Sequence, residues 1–228
     1  MQLDNITFTG IDYSTNLQDI TALIEYDSRA EFGVLLSYNN SGNRYPSDAS
    51  FFNKILTDIP HDNLDIHICG TACANFLSNP YSILPLEFDN CRIQLNIGKW
   101  HGIDYAKLAT FISDFNLRGL IFQHGKSELA FKLSQYSDKV SVLVDSNGGR
   151  GKEITQITEP FNGVKTGYAG GIGPDNIETV LLKLEDSLPK DYTTWVDMET
   201  KIRTNDWFDI RKIKLVLEKV KRYESLVD

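Results

Sequence analysis

Two glycine-punctuated segments hold the clearest chemistry in this sequence. In Val144-Asp-Ser-Asn-Gly-Gly-Arg-Gly-Lys152 a carboxylate ends an apolar run and a glycine-rich loop follows. Asp145 so placed can act as general acid or base toward a ligand cradled by backbone N–H groups, with Gly149 a candidate for holding phosphate. The plainer alternative is an Asp that caps its own loop's amides. The second segment is Tyr168-Ala-Gly-Gly-Ile-Gly-Pro-Asp-Asn-Ile177. Gly170 and Gly171 let the backbone approach a ligand closely. Pro174 suits the first helical position, and a helix opening there aims its free N–H groups back at the loop, an arrangement that fits a phosphate. A simple turn between strand and helix is the alternative.

Other reactive side chains are less organised. His67, Cys69 and Cys73 are close in sequence, and strand alternation puts His67 and Cys69 on one face. A zinc site needs a third or fourth ligand, so Cys91 or His101 would have to converge by folding; no metal is expected. Cys69 reads as a packed thiol, with a base at a ligand site as the alternative. His124 ends an apolar run, where it either faces a ligand or bonds to its loop. Trp100 and Trp207 lie in loops and can stack on an aromatic ligand or pack. Dinucleotide fingerprints, P-loops, nucleophile elbows and zinc-protease motifs do not occur, and no cofactor is expected.

The elements that must position these groups are legible as alternation. Short apolar runs at Ile6–Ile11, Phe32–Leu36, Leu64–Cys69, Cys91–Leu95, Leu117–Phe122, Val140–Asp145, Val164–Ala169 and Thr194–Asp197 are rich in β-branched or aromatic residues and closed by polar or small ones. That is the pattern of buried parallel strands. Between them, Leu17, Ile20, Leu23 and Ile24 share a helical face, as do Phe51, Phe52, Ile55 and Leu56, then Leu108, Phe111, Ile112 and Phe115, then Ile177, Val180, Leu181 and Leu184. Asp206 is placed to cap the final helix, whose basic run Lys212–Arg222 reads as a solvated face. The segments after Cys69 and after Gly151 are weakly helical. Eight strands alternating with helices predict one (β/α)8 TIM barrel over residues 1–228, with an open doubly wound sheet as the alternative.

In such a barrel, reactive groups lie where strands end. Those positions hold Thr9, Asp12, Arg44, His67, Cys69, Asn96, Gln123, His124, Asp145, Gly170, Gly171 and Asp197. The net charge of −8 argues against nucleic acid or an anionic membrane as partner. A small phosphorylated metabolite is the expected partner, bound by a monomer or homodimer. Three cysteines give no disulfide framework, and Met1-Gln-Leu-Asp-Asn5 has no basic, apolar leader; a cytoplasmic protein is expected.

The two glycine segments, in this order, resemble those of the phosphoribosylanthranilate isomerase family, phosphate-binding (β/α)8 enzymes of tryptophan biosynthesis. There a Leu-Asp segment precedes Gly-Gly-Thr-Gly-Lys, and Ala-Gly-Gly-Leu-x-Pro-x-Asn follows. The resemblance continues through Trp195-Val-Asp197. In outline it includes Phe8-Thr-Gly-Ile11 and the stretch from Gly33 to Asn43-Arg-Tyr-Pro-Ser47. It implies an Amadori rearrangement of an aminoaldose phosphate to an aminoketose. Asp145 matches the general acid, Arg44 the loop arginine near the anthranilate end, Asp197 the strand-eight acid, and Gly170 and Gly171 the phosphate-binding pair.

The departures fall at functional positions. Thr9 stands where the family has its catalytic cysteine, and a hydroxyl is a far weaker base than a thiolate near neutral pH. Gln94-Leu-Asn-Ile97 replaces Gln-Leu-His-Gly, leaving Asn96 as the substrate-facing residue. Glu199 and Thr200 replace two phosphate-binding serines, and a carboxylate there repels phosphate unless a cation offsets it. Ile68-Cys-Gly-Thr71 imitates the family's first-strand motif but lies in the third run. The pattern suits a related isomerase with altered chemistry, an enzyme for a different reaction such as epimerisation or decarboxylation, or a catalytically silent barrel that binds a phosphorylated ligand or a protein.

Overall fold

The computed structural model describes residues 1–40, 42–83, 89–96, 103–123, 127–145, 154, 156–161 and 163–227. Eight parallel strands close a barrel in chain order. They are β1 (Gln2–Thr9), β2 (Ala30–Ser37), β3 (Leu64–Cys69), β4 (Arg92–Asn96), β5 (Gly119–Gln123), β6 (Val140–Asp145), β7 (Lys165–Ala169) and β8 (Thr193–Met198). Closure comes from β8 pairing with β1, with Ile6 opposite Val196 and Thr7 opposite Asp197. Around the strands lie α1 (Leu17–Tyr26), α2 (Ala49–Asp58), α3 (Gly70–Ser78), α4 (Tyr105–Asp114), α5 (Ser127–Ser134), α6 (Ile177–Ser187) and α7 (Ile210–Val227). A small antiparallel hairpin, β9 (Arg203–Thr204) with β10 (Trp207–Phe208), separates β8 from α7. None of the described helices is long and apolar enough to cross a membrane.

Helices start where side chains can take up free N–H groups. Asn16 accepts from Gln18 N at 3.2 Å, Asp48 from Ser50 N at 2.9 Å and Asp104 from Lys107 N at 3.0 Å. Their apolar stripes then press on the outer face of the barrel. Ile20, Ile55, Phe111 and Leu184 are fully buried there against strand residues such as Phe8, Phe32, Ile66 and Ile68. Each such side chain contributes about 1.5–3 kcal/mol of transfer free energy.

Inside, the barrel is divided. Alternation along β3 sends Leu64, Ile66 and Ile68 to the helices and Asp65, His67 and Cys69 to the axis. Contacts between strands that are not neighbours agree: His67 of β3 lies 3.3 Å from the hydroxyl of Thr9 on β1. Arg92 of β4 lies 3.4 Å from the hydroxyl of Thr7 on β1, and its guanidinium sits 4.9 Å from the Trp195 ring centre on β8. Glu31, Asp65, His67, Arg92 and Gln94 make this half polar, whereas Ile121, Leu143, Ala169 and Trp195 form a separate apolar cluster. Gly167 makes room for the indole, since a Cβ there would fall 2.1 Å from the Trp195 ring.

Several local expectations are corrected. The first strand spans Gln2–Thr9, earlier than the run Ile6–Ile11, because a register shift between Leu3 and Asn5 breaks the apolar pattern at its start. The weakly helical segment after Cys69 does form α3, since Ala72, Cys73, Phe76 and Leu77 bury a face that propensity alone does not reveal. The segment after Gly151 has no helix among its described residues. Helix α6 begins at Ile177, three residues past Pro174. Pro174-Asp-Asn176 makes the preceding turn, which Asn176 holds by accepting from Gly173 N at 2.9 Å and donating to Gly171 O at 2.9 Å. Asp209, not Asp206, caps the last helix, accepting from Arg211 N at 3.0 Å. Asp206 instead joins Asn205 at the hairpin tip, with φ of 62° and 51°, as a two-residue turn of this hand requires. The basic run on α7 does cover a packed helix, with Ile213, Val216, Leu217 and Val220 fully buried.

Candidate active site

The C-terminal ends of the strands converge on one pocket. Asp145, Asn96, Gly170, Gly171, Asp197 and Thr200 line it, together with His67, Gln94, Gln123 and Glu199. Asp145 ends β6 and is 3% exposed, with the Gln123 amide donating to its Oδ2 at 3.3 Å. Gly170 and Gly171 follow β7 with φ of 128° and 55°. This backbone path is open to glycine and strained for other residues, and it carries the chain over the pocket toward α6.

Beneath the pocket the polar half of the barrel forms a connected chain. Thr9 Oγ1 donates to Asp197 Oδ1 at 2.7 Å and lies 3.3 Å from His67 Nε2. That imidazole nitrogen is also 3.1 Å from Asp65 Oδ2, and the Gln94 amide lies 3.1 Å from His67 Nδ1. Gln94 continues to Asn96 at 3.0 Å. Gly33 permits the close approach, because a Cβ at that position would come 2.7 Å from Thr9 Oγ1 and 3.2 Å from His67 Nε2.

Burial and these partners set the charges. Burial opposes a charge on His67, but Asp65, by charge and hydrogen bond, outweighs it, and with Asp197 and Glu199 raises the imidazole to about 9. Burial raises Asp197 to about 6, with the His67 charge and the Thr9 hydrogen bond pulling the other way. Cys69 is raised to about 12 by burial, although Asn96 Nδ2 approaches its sulfur at 3.6 Å, so it is a protonated, packed thiol rather than a base.

The His67 shift has a consequence for stability. A folded-state value raised from 6.5 to about 9 stabilises the fold fully below pH 6.5, and this contribution is lost as pH rises through 9. Thermal denaturation of the wild type should therefore fall off more steeply between pH 7 and pH 9.5 than that of His67→Gln. Parallel curves for the two proteins would refute the charged imidazole.

Other sequence candidates are placed differently. Arg44 does not stand free at the mouth. Its NH1 donates to Glu199 Oε1 at 2.8 Å and reaches Thr200 Oγ1 at 3.5 Å, and its Nε donates to Asp206 Oδ1 at 2.6 Å. The Glu199 carboxylate is thus offset by Arg44. Asp12 does not line the mouth pocket; it is fully buried and accepts from Arg203 NH2 at 2.6 Å and Phe208 N at 2.8 Å. Thr9 is 1% exposed and held beneath Asp197. Trp207 is 41% exposed on β10. His124, Gly149 and Trp100 lie outside the described residues. The sequence reading did not single out Asp65, Gln94 or Glu31. For Asp65 and Gln94 the signal was the polar–apolar alternation of Leu-Asp-Ile-His-Ile-Cys69 and Arg92-Ile-Gln-Leu-Asn96, which marks an inward polar face; Glu31, in a mostly apolar β2, had none.

A closed eight-stranded barrel whose carboxylates and glycine loop meet at the strands' C-terminal ends belongs to a well-populated architecture. Solved structures narrow the likeness. The chain superposes on phosphoribosylanthranilate isomerase from Thermus thermophilus with a TM-score of 0.58 at 15% identity, covering 96% of this chain and 98% of that one. The N-(5′-phosphoribosyl)anthranilate isomerase of Pyrococcus furiosus gives 0.55 at 14% identity, covering 96% and 98%. Monomers generated from the dimeric Thermotoga maritima enzyme give 0.58 at 16% identity, covering 97% and 99%. These likenesses establish the shared fold over nearly the whole chain. No protein-family model matches the sequence, and no curated protein matches it.

Proposed function

We propose that the protein is an isomerase of the phosphoribosylanthranilate isomerase type, moving protons on a small phosphorylated aminosugar at the barrel mouth. The observation that carries this reading is the convergence of Asp145, Asp197 and the Gly170–Gly171 turn on a single pocket. The fold shared with known isomerases supports it.

In this reading Asp145 gives its proton to the sugar ring oxygen as the C1–O bond breaks and the amine lone pair forms the iminium. Asp197 then takes the proton from C2, and the released electron pair neutralises the iminium to give an enolamine. The enol proton leaves, C1 gains a proton, and the aminoketose results with no net change in atoms. Thr9 enters as the hydrogen-bond donor that orients Asp197, not as a free base. The test is the pH dependence of turnover. An acid limb near pH 6 is expected for the wild type, matching the value of Asp197. Asp197→Asn should lose roughly 10²–10⁴-fold in rate together with that limb. A limb that survives in Asp197→Asn would assign the base elsewhere.

One feature favours a second reading, a barrel that binds without turnover: Glu199 lines the pocket where the resemblance places phosphate-binding serines. Glu199→Ser should tighten binding of inorganic phosphate about tenfold, since it removes a like charge and frees Arg44. Calorimetry checks this. If Glu199→Ser binds phosphate no better than the wild type, Arg44 already cancels the carboxylate and the phosphorylated-sugar reading stands unaided. If it binds tighter and neither protein turns over an aminosugar phosphate, the binding reading prevails.

A further inference from the structure

The opposite end of the barrel holds a second cavity, formed where the strands begin. Asp4, Arg92, Arg118, Lys165 and Trp195 are among the residues lining it. Arg92 and Trp195 are 5% and 0% exposed, so their polar atoms need protein or bound partners. Three N–H donors here have none among the described residues: Arg92 Nε, Arg118 Nε and Trp195 Nε1. One acceptor on the same cavity, Asp4 Oδ1, is equally unpaired. Asp138 adds an exposed carboxylate to the same cavity, and Lys139 donates to Asn116 Oδ1 at 3.2 Å. Glu31 pairs with Arg92 at 2.8 Å, with Arg118, and with the Thr7 hydroxyl at 2.7 Å, while Lys165 pairs with the other oxygen of Asp4. Lys165 and Arg92 also flank the Trp195 ring at 5.7 Å and 4.9 Å.

We propose that this end of the barrel binds a small oxyanion that keeps a hydroxyl, of the hydrogen phosphate class. Three unpaired N–H groups on residues that line this cavity, two of them from guanidinium ions, suit the oxygens of such an anion. The unpaired Asp4 oxygen suits its remaining O–H and would repel a fully deprotonated anion such as sulfate. Entry is from the side of Arg118 and Lys165, whose side chains are 25% and 38% exposed. The position beside Trp195, at the end away from the mouth pocket, makes the site independent of the isomerase reading.

The indole N–H of Trp195 is its own reporter. The ¹H–¹⁵N spectrum of tryptophan-labelled protein contains three indole signals, from Trp100, Trp195 and Trp207, which Trp100→Phe and Trp207→Phe assign. Titration with inorganic phosphate should move the Trp195 signal in a saturable way. Sulfate at equal ionic strength should bind at least tenfold more weakly. Arg118→Gln should weaken phosphate at least tenfold, and Asp4→Asn should erase the preference for phosphate over sulfate. The Asp4→Asn arm stands even where Arg118→Gln fails to fold. A Trp195 signal that does not move, that drifts without saturation as in chloride, or that responds alike in wild type and Asp4→Asn would overturn the proposal.

Discussion

Asp145→Asn is expected to abolish turnover of an aminosugar phosphate, by roughly 10²–10⁴-fold, in a protein that remains folded. The substitution keeps the shape of a residue that ends β6 at 3% exposure and lines the mouth pocket, and removes only the proton it can give. The loss should fall in kcat with KM little changed, because the acid acts on the ring oxygen as the bond breaks and not on bound substrate at rest. Far-ultraviolet circular dichroism should match the wild type. Full activity in folded Asp145→Asn would end the proposed mechanism; a loss of activity with loss of structure would call for the pH profile of Asp197 instead.

The largest expected effect on stability lies at Arg203. Its guanidinium donates to Asp12 Oδ2 at 2.6 Å and Gly10 O at 2.6 Å, with side chains 2% and 0% exposed for the pair. Arg203→Ala leaves a buried carboxylate whose remaining partners are Phe208 N, Ser14 N and the Ser14 and Thr15 hydroxyls. Stranding one charge of a buried pair costs about 3–5 kcal/mol. Urea denaturation should show the midpoint falling accordingly. The double substitution Arg203→Met with Asp12→Leu should recover much of the loss, because it removes both charges. A shift below about 1 kcal/mol in Arg203→Ala would show the pair to be hydrated rather than buried. Function should suffer too: the hairpin that Arg203 anchors carries Asp206, one of the two carboxylates that hold Arg44 across the mouth.

What the sequence makes legible is what repeats locally. A buried parallel strand must be short and apolar wherever it occurs, so eight runs announced eight strands, two of them, Leu64–Cys69 and Val140–Asp145, at their observed bounds. Helical faces such as Leu17, Ile20 and Leu23 were equally plain, because a 3.6-residue period needs no knowledge of the partner surface. That Asp145, Asp197 and the Gly170–Gly171 turn line one pocket was legible because strand order and the ends of strands set which residues meet at a barrel's mouth.

The rest depended on contacts between distant residues. Nothing near Arg44 in sequence announces Glu199 and Asp206, 155 and 162 positions away. Asp206 read as a helix cap because Asp before an apolar-periodic segment is a start signal. The competing fact was that Asn205 and Asp206 both tolerate the left-handed backbone of a hairpin tip. The inward polar half of the barrel was written in the alternation of β3 and β4. Yet a polar residue inside a strand reads as solvent-facing until the strand is known to lie within a closed barrel.

The most direct measurement is the decay of phosphoribosylanthranilate fluorescence on adding the purified wild-type protein. The proposed chemistry predicts an enzyme-dependent decay with an aminoketose phosphate as product. Stable fluorescence in the presence of folded protein that binds the compound would contradict it, and would leave a barrel whose Asp145, Asp197 and Gly170–Gly171 turn recognise a ligand without rearranging it.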